Sequence, residues 1–126
     1  MAGPLSGKSI LVAEDLYLVA LPVCEAMVEA GARIVGPYAS CAEALAAAET
    51  GHIDAAVLDI GLSDGWVFPL ARKLQQARIP FLFMTGYGPE VIPPEFAGVP
   101  MLLKPAHVDL LCERLARLAN GASGAR

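Results

Sequence analysis

The chain has 126 residues, enough for one domain with a single substantial core, and 56% of them are hydrophobic, which excludes a disordered segment. A net charge of -4 with no basic stretch argues against a nucleic-acid or anionic-membrane surface, so neither partner is expected. No apolar run approaches the roughly 20 residues needed to cross a bilayer, and the opening MAGPLSGKS lacks the apolar core of a signal peptide, so a cytoplasmic location is expected.

In chain order, apolar runs alternate with Ala/Leu-rich amphipathic segments. KSILVA (8–13) precedes a helix predicted over about 16–30 and ended by Gly31. ARIVG (32–36) precedes SCAEALAAAET (40–50), where Ser40 and Glu43 stand in capping-box register. DAAVLD (54–59) leads to a helix predicted over about 66–77, begun and anchored by Trp66. IPFLFM (79–84) is followed by GYGPEVIPPEFAG (86–98), whose three prolines predict a short or irregular fourth helix. PMLL (100–103) precedes a last helix over about 106–119. Pro22 and Pro69 fall near or inside predicted helices, where each breaks a hydrogen bond unless it sits in the first turn. Cys24, Cys41 and Cys112, without a CxxC pair, read as reduced and mostly buried small hydrophobes; His52 and His107 have no ligand-like neighbours and read as solvated.

Short apolar strands alternating with helices predict an α/β protein with a parallel sheet covered on both faces. Five such repeats suit a flavodoxin-like, doubly wound sheet of order 2-1-3-4-5, here one domain over 1–126 with its core at about 7–120 and no further domain expected.

Polar residues close four of these strands. Glu14 and Asp15 follow the first, Asp59 the third, Thr85 the fourth and Lys104 the fifth. Ligands of open parallel sheets bind beyond the carboxyl ends of the strands, at the point where strand order reverses. The spacings fit one common edge: 44 positions from Asp15 to Asp59, 26 from there to Thr85 and 19 more to Lys104. Singly, each residue is an ordinary turn, cap or surface residue; five in this order are a constellation. Three carboxylates held together repel unless a cation intervenes, and oxygen-only donors favour a hard ion that keeps its waters, which points to Mg²⁺. Lys104 and Thr85 add a positive charge and a hydroxyl for an anion's oxygens. The set describes phosphoryl transfer to a carboxylate, with Asp59 as nucleophile.

ILVAED, AAVLDIGLSDG, FLFMTGYG and LLKP resemble the response-regulator receiver domains of two-component signalling over roughly residues 7–120. The resemblance implies a domain, not a freestanding enzyme, whose Asp59 takes a phosphoryl group from a histidine kinase or phosphotransfer protein. It further implies that Asp15, Asp59 and the Gly61 carbonyl bind Mg²⁺ directly, with Glu14 acting through water. Thr85 and Lys104 would contact the phosphoryl oxygens, and Lys104-Pro105 would be a cis peptide. FMTGYG is similar to the subgroup named for its Phe-Ala-Thr-Gly-X-Tyr motif, whose members often stand alone and are linked to HWE-type kinases; Met84 replaces its Ala, and Tyr87 comes one position early. Met101 stands where most receivers carry the aromatic of their switch, so activation is expected to run through residues 85–98 and Tyr87. The turn after Asp59 is shorter than in most receivers and lacks their proline.

Phosphorylation-dependent binding of a downstream protein is the expected role. A phosphate sink for a shared kinase and a phospho-independent adaptor are the alternatives. A haloacid-dehalogenase-type phosphatase would need a second Asp two residues after Asp59, where Gly61 stands.

Overall fold

The apolar runs become strands and the amphipathic ones helices, in the predicted order. They are β1 (Ser9–Ala13), α1 (Tyr17–Glu29), β2 (Arg33–Tyr38), α2 (Cys41–Thr50), β3 (Ala55–Leu58), β4 (Gly61–Leu62), β5 (Gly65–Trp66), α3 (Phe68–Gln76), β6 (Phe81–Thr85), β7 (Met101–Leu103) and α4 (Val108–Gly124). The computed structural model describes residues 3–105 and 107–124. Position 106, the predicted start of the last helix, lies outside the described residues.

Five parallel strands form one sheet in the order β2-β1-β3-β6-β7, the predicted flavodoxin-like order once the small β4-β5 hairpin is set aside. Central strands β3 and β6 are buried along their whole length. This explains their unbroken apolar runs, since helices cover both faces of a parallel sheet. Alternation along each strand splits the core in two. Leu11, Ala13, Ala56, Leu58, Phe81 and Phe83 face α2 and α3; Ile10, Val12, Ala55, Val57, Leu82 and Met84 face α1 and α4. Leu5 is fully buried in the second half, with its amide bonded to the Ala30 carbonyl, so the core begins before residue 7.

One sequence expectation is corrected. The helix predicted from Trp66 starts at Phe68, because Gly61 and Leu62 pair antiparallel with Trp66 and Gly65 across a Ser63-Asp64 turn. Starting there puts Pro69 in the first turn of α3, where its missing N–H breaks no helical bond. Pro22 lies inside α1, but it and Leu18, whose carbonyl it leaves unbonded, are both exposed to water. The Pro-rich stretch forms only two 3₁₀ turns, Pro89–Val91 and Pro94–Phe96, in line with the expected irregular fourth helix. Its far end is nevertheless fixed. Phe96 is 1% exposed among Phe68, Phe81 and Phe83, and Arg72 grips Glu95 through two hydrogen bonds of 3.0 and 2.9 Å.

Two helices end in the same hydrogen-bond pattern with different residues. After α1, the Gly31 amide bonds to Val28 O and Ala32 to Met27 O, with Gly31 at φ +101°. After α3, Arg78 bonds to Gln75 O and Ile79 to Leu74 O, but the left-handed position is held by an exposed Arg78 at φ 60°. A side chain there costs roughly 1 kcal/mol relative to glycine. Arg78→Gly is therefore expected to stabilise the protein by about 1 kcal/mol in urea unfolding; an unchanged or lowered midpoint would contradict this.

Candidate functional site

Strand register brings the polar residues to one edge. Ala13 pairs with Leu58 across β1-β3, and the Asp59 amide continues the ladder to Ala13 O at 2.9 Å, so Glu14 and Asp59 emerge side by side. Across β6-β7 the Lys104 amide bonds to Thr85 O at 2.8 Å. By strand alternation Glu14, Asp59 and Lys104 follow the residues that face α1 and α4, while Thr85 follows those facing α3. That parity explains which side chains meet.

Lys104 Nζ donates to Glu14 Oε1 at 2.5 Å and to Asp59 Oδ2 at 2.8 Å. The second Glu14 oxygen accepts from the Leu16 amide at 3.0 Å, so both of its oxygens are engaged. Asp59 Oδ1 has no hydrogen-bond partner among the described residues. Exposed Asp15 completes an acidic trio with buried Glu14 and Asp59, each offering an oxygen within 4.8 Å of the others. Two unit charges at that spacing repel by about 3 kcal/mol at an effective dielectric near 20. One ammonium against three carboxylates leaves an excess of negative charge, and the donors are all oxygen. The trio therefore fits a hard divalent cation such as Mg²⁺.

Burial pushes the Glu14 carboxyl above its ordinary range, and Asp59 adds to this; the hydrogen bonds from Lys104 and the Leu16 amide pull the other way. Burial would lower the Lys104 ammonium, but its hydrogen bonds to Asp59 and Glu14 outweigh that and raise it above an ordinary lysine. Lys104-Pro105 is cis, as the resemblance implied; Gly36-Pro37, which the sequence did not single out, is cis too.

Thr85 is fully buried, and its Oγ1 accepts from the Tyr87 amide at 3.0 Å, which leaves the hydroxyl proton to be donated. The Tyr87 ring lies over Gly61, where a β-carbon would sit 3.4 Å from it, and meets Trp66 edge-on at 5.6 Å. Gly61 thus heads the hairpin beneath a ring. Thr85 and Phe96 are both buried, so the segment expected to carry activation is anchored near both ends.

Sequence reasoning missed Asp64. From the hairpin turn its carboxylate accepts from the amides of Cys41 at 2.7 Å and Ala42 at 3.1 Å, and these bonds hold it below the usual carboxylate range. The Asp64-Gly65 pair is a hairpin signal that could have revealed the turn, though nothing in the sequence shows its partner. Of the two histidines, His107 is exposed and His52 bonds Asp54 at 2.8 Å on the surface, away from the site residues.

No family model and no curated protein matches the chain. Among solved structures, SdrG from Sphingomonas melonis Fr1 is 36% identical, with a TM-score of 0.77 over 88% of this chain and 95% of that one. The BeF3-activated conformation of SdrG from Pseudomonas melonis Fr1 is 34% identical, with a TM-score of 0.73 over 94% and 99%. A CheY-like response regulator receiver domain protein from Methanospirillum hungatei JF-1 has the same fold at 21% identity, with a TM-score of 0.84 over 94% and 98%. The chain belongs to the response-regulator receiver domains. It is a signalling domain of a kind whose partners are histidine kinases or phosphotransfer proteins. No described helix is long and apolar enough to cross a membrane.

Removing the ammonium should expose the repulsion it offsets. Lys104→Met is expected to destabilise the protein by about 2 kcal/mol at pH 7 without divalent cations, below the full cost of breaking a buried pair because Lys104 keeps 18% exposure. Glu14 is raised, so it takes up its proton in the folded state at a higher pH than in the unfolded chain. The deficit should therefore shrink between pH 7 and pH 5 in urea unfolding. An equal deficit at both would contradict the assignment.

Proposed function

We propose that the domain takes a phosphoryl group on Asp59 from a phosphohistidine of a histidine kinase, including the HWE type, or of a phosphotransfer protein, and then signals by binding another protein. The observation that carries this reading is Lys104 bridging Asp59 and Glu14 at the carboxyl edge of the sheet. Lys104 holds Asp59 Oδ2, leaving Oδ1 to attack phosphorus. The new P–O bond forms as the P–N bond breaks, and the leaving imidazole takes up a proton.

Asp15, Asp59 and the Gly61 carbonyl would hold Mg²⁺ directly. Glu14, whose oxygens already serve Lys104 and Leu16, would act through water. When bound, Mg²⁺ supplies charge neutralisation among the carboxylates and the phosphoryl oxygens. Lys104 and the Thr85 hydroxyl then take the phosphoryl oxygens. The donor reaches Asp59 across the first turns of α1, where Leu16, Tyr17, Leu18 and Leu21 are exposed beside Asp15, an apolar patch that suits another protein. The Thr85-Gly86-Tyr87 stretch supports membership of the Phe-Ala-Thr-Gly-X-Tyr subgroup.

Acetyl phosphate with Mg²⁺ is expected to add one phosphoryl group to the wild type and none to Asp59→Asn, read by intact mass. Asp15→Ala should abolish labelling and Glu14→Ala only slow it. Full labelling of Asp59→Asn would overturn the assignment.

A further inference from the structure

The hairpin between Asp59 and α3 is tied down at both ends. At its base the Asp59 amide bonds to Ala13 O and the Val67 amide to Ile60 O, both at 2.9 Å. At its tip the Ser63 amide bonds to Ala39 O at 2.9 Å, and Asp64 takes the Cys41 and Ala42 amides. Gly61 lies between the two ties, and Leu62 beside it is buried.

The bonds from Asp64 are more than α2 needs for a cap. Ser40 Oγ already accepts from the Glu43 amide at 3.1 Å, and acidic Glu43 complements the helix dipole from the first turn. Asp64 comes from more than twenty positions along the chain, and its particular effect is to hold the hairpin tip on α2. Seating it there has a second effect. Asp64 is a fourth carboxylate, five positions after Asp59, yet the acidic trio does not include it. The positive end of α2 absorbs its charge.

We propose that Asp64 is a positioning residue for cation binding at the acceptor site, holding the hairpin so that the Gly61 carbonyl faces the acidic trio. The inference rests on the reading of that trio as a Mg²⁺ site. Asp64 touches neither the cation nor the phosphoryl group; it acts through four residues of backbone. Supporting groups of this kind typically change metal affinity by 10- to 100-fold.

Mg²⁺ titration by calorimetry, with the fluorescence of Trp66 as a second readout, tests this on the full chain at a temperature where every variant is folded by circular dichroism. Trp66 is the only tryptophan and lies on the hairpin itself. Asp64→Ala is expected to weaken Mg²⁺ binding about tenfold. Asp64→Asn, which keeps one accepting oxygen, should recover part of that loss. Ser40→Ala removes the other cap of α2 without touching the hairpin and should bind as the wild type does. Equal affinity in Asp64→Ala and Ser40→Ala, whether both unchanged or both reduced, would overturn the proposal. Asp15→Ala tests the underlying site separately: if the wild type shows no binding that Asp15→Ala abolishes, the acceptor-site reading itself fails.

Discussion

The ammonium of Lys104 lies between two buried carboxylates, and the carboxyl edge of the sheet is arranged around it. Glu14 and Asp59 come from adjacent strands whose register leaves them no choice but to be neighbours. Lys104 reaches them from β7, a strand of three residues at the opposite side of β6. Its backbone bond to Thr85 O fixes the height at which its side chain sets out. Without that cation, burial and mutual repulsion would both work against the ionised pair. With it, one of the trio's three carboxylates is offset and two remain in excess. That excess suits a divalent cation, and under the proposed function an incoming phosphoryl group would give Lys104 a new set of oxygens.

The two halves of the core divide the work. The α1/α4 half supports Glu14, Asp59 and Lys104, so charge is gathered on one side of the sheet edge. On the α2/α3 half, Tyr87 meets Trp66, Trp66 stacks on Phe68, and Phe68 packs on Phe96 and Phe83. This row of rings runs from the loop after Thr85 into the core. The β4-β5 hairpin belongs to both systems, since Asp59 stands at its base and Trp66 on its second strand. Movement of Thr85 would be felt by Tyr87 through the amide bond to Oγ1, and by the hairpin through the ring on Gly61. Met101, half-buried where most receivers carry an aromatic, contributes bulk to this half but no ring.

Strand order and the meeting of Glu14, Asp15, Asp59 and Lys104 were legible because both follow from short-range patterns. Apolar runs of four to six residues mark central strands, and the residue that ends such a run must sit at the sheet edge. The hairpin was less legible. LSDGW carries a turn signal, but two-residue strands are too short to show alternation, and Trp66 looked like the first anchor of a helix. Leu5 was missed because one apolar residue among Pro, Ser and Gly has no periodicity to report its burial. Asp64 on α2 and Tyr87 on Gly61 are contacts between segments far apart in the chain, set by how the loops pack over the sheet, and no local pattern encodes them.

The account turns on Lys104 exchanging its carboxylate partners for a phosphoryl group on Asp59. A crystal structure of the protein with Mg²⁺ and beryllofluoride, a stable mimic of the phosphoryl group, tests this most directly. The account predicts the adduct on Asp59, with Lys104 Nζ and Thr85 Oγ1 both within hydrogen-bond distance of its fluorines. An adduct on another residue, or one on Asp59 that leaves Lys104 bound to Glu14 and away from the fluorines, would contradict it.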